Sequence, residues 1–344
     1  MDTRIIFTTL LFFSVVSTAA AQSGVPDVKH INIGIAYPIS TNGIQGRTYT
    51  NYFSLNALAG VSRAETGLSL AGLANVVLDS ASGLQIAGFA NVVGRSSGAE
   101  IAGFGNFARR NSSGLQVAGF INTSANAGTQ VGGFINVAAN AGTQVSGFIN
   151  TAANADNQVS GFINVAKKVR GVQIAGFINI ADSSDYPIAI FNFVKNGEKT
   201  IGVSTDETLT TLVSFRSGGR RLYGIAGLGC NHKGKRELAA WEAGLGAHLV
   251  STERFRLNVE VVSVGLTDFK HGDWMKSSLR VLPAYRLGSR VEIFAGPSFN
   301  YFRGKNGQGE DIVDHYLWSD RNSHSYYGLF FGVTGGIAIS LTKK

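Results

Sequence analysis

The sequence predicts an all-β protein, and three observations predict it. Between Tyr52 and Phe193 one short phrase recurs nine times, most clearly as Gly83-Leu-Gln-Ile-Ala-Gly-Phe-Ala-Asn91, Gly114-Leu-Gln-Val-Ala-Gly-Phe-Ile-Asn122 and Gly171-Val-Gln-Ile-Ala-Gly-Phe-Ile-Asn179. The composition is rich in Gly (44 of 344) and poor in charge (15%), unlike an average globular domain. The C-terminal half alternates apolar and polar residues at the two-residue period of strands. The expected fold is an outer-membrane-type antiparallel β-barrel of roughly 16–20 strands, one per repeat. The alternative is a repeat β-solenoid followed by a smaller C-terminal β-barrel.

Taken in order, residues 1–21 read as a secretory signal peptide. Arg4 precedes an apolar run from Ile5 to Val16, and Ala19-Ala20-Ala21 offers a small-residue cleavage site before Gln22. No later apolar stretch is long enough for a membrane helix. Residues 22–200 hold an N-terminal strand, Ile31 to Ser40, and the repeat strands; residues 201–344 hold the C-terminal barrel strands. Cys230 is the one cysteine, so no internal disulfide forms. The net charge of +8 comes from scattered basic residues in an exported chain, which argues against nucleic acid as a partner.

Within a repeat, Leu115, Val117, Gly119 and Ile121 fall on one face of a strand, and Gln116, Ala118, Phe120 and Asn122 on the other. The repeat positions are Phe89 and Asn91, Phe104 and Asn106, Phe120 and Asn122, Phe134 and Asn136, Phe148 and Asn150, Phe162 and Asn164, and Phe177 and Asn179. Asn-Ala-Gly at 126–128 and 140–142 reads as a turn between strands. As a barrel wall, the Leu/Ile/Val ladder would face lipid. As a solenoid, identical positions would stack into Asn ladders and Phe stacks. The absence of Tyr and Trp from 54 to 185 favours the second arrangement.

Beyond Ile201, strands are expected near 209–217, 221–231, 239–250, 255–265, 278–287, 290–302 and 326–341, with a long polar loop from Gly304 to Ser325. Apolar faces such as Phe255, Leu257, Val259 and Val261 oppose charged ones. Glu242, His248, Arg256, Glu260, Arg280, Arg286 and Glu292 lie on the polar faces of successive strands. They form a candidate lumen network, its two signs of charge nearly balanced because buried charges need partners. Ion pairs filling the interior outweigh an open aqueous path.

No chemistry of catalysis emerges. Gly229 to Lys235 follows the phosphate-loop pattern until Arg236 stands where Ser or Thr is required. Glu310, Asp311, Asp314, His315, Asp320 and His324 cluster in the long loop without a known metal-ligand spacing. Glu242 and His248 share a face, but Ser263 falls on the opposite one, and no Gly-x-Ser-x-Gly elbow is present. The expectation is a non-enzyme without cofactor or metal.

The Gly-x-Gln-[Ile/Val]-Ala-Gly-Phe-x-Asn copies resemble the surface-repeat proteins of Gram-negative bacteria, common in Bacteroidota. The resemblance extends to Ser204-Thr205-Asp206-Glu207, Phe215-Arg216-Ser217-Gly218 and Leu222-Tyr223. It implies export to the cell outer membrane or surface and no assigned chemistry. The ending Leu341-Thr-Lys-Lys344 departs from the terminal aromatic residue of many outer-membrane barrels. The expected role is an integral outer-membrane barrel, structural or passively conducting. Its partners would be outer-membrane lipid and the barrel-assembly machinery, with small solutes or host surface ligands beyond them. A displayed or secreted adhesin-like solenoid is the second reading, and an envelope hydrolase or acyl-transfer barrel the third.

Overall fold

Identical residues at a fixed spacing stack on one another when successive strands run parallel and in register, and the repeats do so. Ile121–Gly132 pairs with Ile135–Ser146, which pairs with Ile149–Ser160. Like meets like throughout: Asn122, Asn136 and Asn150 align, as do Gln130, Gln144 and Gln158. The computed structural model describes residues 28–219, 221–233, 238–269, 274–305, 312–322 and 325–342. The segment read as a signal peptide lies outside them. From Val28–Ala36 to Phe191–Val194 the strands form one parallel solenoid, apart from the short return strand Ile39–Ser40. A second, antiparallel sheet begins at Glu198 and closes on itself.

The all-β class and the C-terminal barrel are as expected. The repeats take the solenoid alternative, so the barrel has eight strands rather than roughly 16–20. Two local features explain the difference. The chain bends at each Gly-Phe, as at Gly119-Phe120 and Gly147-Phe148, and both residues of the bend point outward or half outward. Alternation therefore breaks at Phe, which leaves the face it would share with Gln and Asn. Asn126-Ala127-Gly128 is not a hairpin turn, because it lies inside the strand Ile121–Gly132.

The corner glycines meet backbone to backbone. A Cβ on Gly133 would lie 2.0 Å from the Gly119 carbonyl oxygen, and one on Gly147 would lie 2.2 Å from that of Gly133. From Gly72 to Gly176 the column is all glycine, because a side chain would meet the backbone of the coil before it; only its ends, Ala57 and Ala189, carry a Cβ. The inside of the coil is filled by small residues, a few valines and columns of slim polar side chains. Ala138, Ala141, Ala152 and Ala155 pack together, while the Asn column from Asn75 to Asn192 is buried. Each of these Asn donates from Nδ2 to Oδ1 of the next, in eight bonds of 2.9–3.0 Å. Asn136 also donates across the coil to the Val145 carbonyl at 2.7 Å. A buried amide left without partners would cost about 1–3 kcal/mol, so the ladder fixes register as well as satisfying polar groups.

The barrel strands are Glu198–Asp206, Thr210–Gly218, Leu222–Asn231, Leu238–Ser251, Phe255–Thr267, Trp274–Leu287, Val291–Lys305 and Ser325–Ser340. The first was not legible as a strand in the sequence; it pairs with the last from Thr200↔Ser340 to Asp206↔Thr334 and closes the cylinder. The solenoid ends against the outside of this wall. Backbone N of Asn192 donates to Ser217 Oγ at 2.9 Å, and its side chain donates to the Ser217 carbonyl at 3.1 Å. Gly224 lets the last coil approach, since a Cβ there would stand 2.0 Å from the Ala189 carbonyl.

Candidate functional site

Two surfaces carry this molecule's chemistry: the barrel lumen and the outer edge of the solenoid. Alternation on each barrel strand sends polar side chains inward and apolar ones outward. Arg280, Lys276 and Glu260 are each 1% exposed, whereas Leu228 is 72%, Phe331 68% and Val261 61% exposed. This is the reverse of a soluble protein.

All seven sequence-predicted lumen residues face inward, and they divide into two tiers. In the middle tier, Arg280 holds Glu242 at 2.6 Å and lies 3.9 Å from Glu260. Glu242 also accepts from Ser214 at 2.7 Å, and Glu260 accepts from Arg216 at 2.8 Å and from the Tyr223 hydroxyl at 2.9 Å. In the tier near the solenoid, Arg256 bonds Glu198 at 2.8 Å and approaches Glu292, which Arg286 reaches at 3.5 Å. His248 shares this tier, its Nδ1 2.6 Å from the Asn258 side-chain oxygen.

A third tier was missed in the sequence. Lys276 pairs with Asp206 and reaches Glu207 at 3.4 Å, and Asn300 also donates to Glu207. Arg216, Tyr223 and Glu198 were missed as well. Extending the two-residue parity of Arg280 back through Ser278 would have found Lys276. Arg216 lies in the expected strand near 209–217, where the two-residue parity of Leu212 and Ser214 would have placed it inward.

Among the described residues the lumen is filled across its middle and far tiers, while at the solenoid end a cleft of about 840 Å³ beside Tyr186 and Arg221 reaches Glu198 and His248. Between the middle tier and the solenoid end lies a cavity of about 30 Å³, lined by Glu198, Arg256 and Phe294 among others; it has room for about two waters. Toward the opposite end, Leu212, Ile225, Leu266, Trp274, Phe302 and Phe330 pack around Ile312 and Val313 from the long loop. An eight-stranded barrel is just wide enough for its side chains to fill it.

The other sequence candidates do not assemble. Glu242 and His248 belong to different tiers with different partners, and Ser263 alternates with the inward Val262 and Val264. In the phosphate-loop-like segment, Gly229 to Asn231 are strand and residues 234–237 lie outside the described residues. Lys233 of that segment pairs with Asp314 at 2.8 Å. Glu310, Asp311 and His324 are likewise outside the description, and among the described residues no three potential metal ligands gather.

On the solenoid, the Phe positions form one outward stack. Phe89, Phe104, Phe120, Phe134, Phe148, Phe162 and Phe177 lie ring on ring at 4.7–5.2 Å, with interplanar angles of 4–15°. The Asn and Gln columns point the other way, into the coil. One rung of the Gln column is Glu100, which accepts from Gln116 at 2.8 Å. Burial pushes the Glu100 carboxyl above the usual 4.5, against the lowering effect of its bonds to Gln116, Ser96 and Ser112. Glu65 is raised for the same reason, against bonds from Asn51, Ser54 and Ser62.

A raised acid pKa means the folded state holds its proton more tightly than the unfolded chain. The stability is full below the unfolded value and is lost as pH rises through the folded one. Glu100→Gln, which makes the column uniform, is therefore expected to stabilise the solenoid at neutral and alkaline pH and to flatten its pH dependence. Urea melts at pH 5 and pH 8 check this. Equal losses in parent and variant between the two would show that Glu100 is not the titrating group.

Comparison with family models, curated proteins and solved structures returns no match for the chain.

Proposed function

We propose that this protein is an integral outer-membrane barrel, closed rather than conducting, that anchors a β-solenoid at the membrane and has a structural, non-catalytic role. The observation that carries this reading is the inverted polarity of the barrel, with charges paired inside and large apolar side chains outside. Its dimensions support it. Tyr285 and Phe255 stand level at one end of the apolar band. Trp241 stands at the other, in register through Gly265 with Met275. Ten residues of strand at about 3.3 Å each, tilted about 40°, give a band of roughly 25 Å, the height of a membrane barrel's lipid-facing belt.

The loops supply an orientation. The connections after Gly218, Ser251 and Leu287 are short and lie at the end that bears the solenoid; at the other end Asp206 joins Thr210 by a short turn as well, but the chain between Lys305 and Ser325 is long and carries the strand Trp318–Arg321. Membrane barrels keep short turns on the periplasmic side and long loops outside. This favours a periplasmic solenoid over a displayed, adhesin-like one. The filled lumen favours anchor over pore.

The protein is expected to sediment with the outer membrane and resist carbonate and urea extraction. It should migrate faster on gels before boiling than after, and give no current in planar bilayers. Complete release by urea would overturn membrane integration. Steady single-channel conductance would overturn the closed lumen.

A further inference from the structure

The solenoid is amphipathic around its circumference. Flanking the Phe stack are outward columns of Val, Leu and Ile, such as Val131, Val145 and Val159 on one side and Ile135, Ile149 and Ile163 on the other. No charged residue stands in these columns from Leu68 to Phe193. The opposite edge carries the Asn126, Asn140 and Asn154 ladder, whose side chains bond one another at 2.6–2.8 Å. The exposed ion pairs Asp79–Arg110 and Asp182–Lys195 are on that edge too.

The seven stacked rings run for roughly 30 Å, and with their flanks make an apolar strip on the order of 500 Å². A strip of that size stands at the upper end of what soluble monomers expose, the range in which such patches serve as interaction surfaces. It is also continuous with the barrel's outer surface. Past Phe177 the aromatic contacts run through Phe191 and Phe193 to Phe215 on the barrel, whose ring centroid is 6.4 Å from that of Phe193. Phe215 pairs with Ile201, and Ile201 with Ile339, both in the outward apolar band.

From this continuity we infer that the occupant of the Phe edge is the bilayer itself. The solenoid lies along the membrane leaflet at the short-turn end of the barrel, with its Phe, Val and Ile columns among the acyl chains and its Asn edge in water. The inference rests on the barrel being membrane-inserted. A second copy of the chain covering the edge is the competing occupant. Such a copy would have to interrupt an apolar surface that runs unbroken onto the barrel, and lipid requires no such break.

The test uses the full chain in a Cys230→Ala background, reconstituted in phosphatidylcholine–phosphatidylglycerol vesicles. A polarity-sensitive nitrobenzoxadiazole fluorophore is attached at Val145→Cys (Phe edge), Asn140→Cys (Asn edge) or Val261→Cys (barrel belt). Emission at Val145 should be blue-shifted and quenched by brominated lipid about as strongly as at Val261, while Asn140 should be quenched by aqueous iodide. If Val261 is lipid-quenched but Val145 responds to iodide, the solenoid edge is in water and the inference fails while the barrel reading stands. If Val261 itself escapes lipid quenching, the barrel reading has failed. If Val145 is shielded from both quenchers and cross-links to a second chain, the occupant is another copy and the inference is wrong.

Discussion

Replacing Arg280 with Met will destabilise the barrel by about 3–5 kcal/mol, the cost of stranding a buried charge. Its guanidinium is the main cationic partner of Glu242 and a second one for Glu260, and all three groups are sealed from solvent. Methionine fills a similar volume, so the loss reports charge and not a cavity. The measurement is the urea midpoint in detergent micelles, followed by the gel shift of the unboiled barrel. Adding Glu242→Gln should recover most of the loss, because the amide keeps its hydrogen bond to Ser214 without a charge to balance. An unchanged midpoint for the single variant would show that the lumen is hydrated enough to screen the carboxylates. The closed-barrel reading would fall with it.

Gly147→Val is expected to cost the solenoid about 3 kcal/mol or more. The new Cβ would sit 2.2 Å from the Gly133 carbonyl oxygen, and the stacked backbones cannot separate there without breaking the coil-to-coil hydrogen bonds. On the outer flank, Thr151→Val should be nearly neutral, since that side chain adds only to an apolar column. Far-UV circular dichroism melts and protease cutting within 121–165 read the solenoid, and the gel shift reads the barrel. The two sheets close their hydrogen bonds separately, so Gly147→Val should open the first and spare the second. A wild-type melt for this variant would mean the corner column tolerates side chains, and register would have to come from the Asn ladder alone.

Much of this architecture was legible in the residues. The two-residue parity of Glu242, Glu260 and Arg280 placed them in one interior, because strand alternation is geometric. Seven of the eight barrel strands follow from it. The strand Glu198–Asp206 escaped because only Ile201 and Val203 mark its apolar face, too few to stand out. The arrangement of the repeats was harder to read. A strand of about ten residues with a four-residue turn fits an antiparallel wall, and a fourteen-residue coil fits a solenoid. The difference lies at Gly-Phe, where the bend turns Phe120 and its equivalents out while Asn122 stays in. A period written in letters does not show that bend. The uniform spacing of Asn122, Asn136, Asn150 and Asn164 was the better clue, since amide ladders need like residues at one height.

The in-register columns have a consequence for how such a chain can change. Each coil presents the same Gly, Phe, Ile and Asn to the coil on either side, so a coil inserted between Gly133 and Gly161 meets neighbours it already matches. Duplicating or deleting one fourteen-residue unit changes the length of the strip by about 4.8 Å and leaves the N-terminal strand and the barrel seat at Ser217 untouched. The length of the strip is thus a counted quantity, set by repeat number as rungs set the length of a ladder, and it can change without any redesign of the barrel.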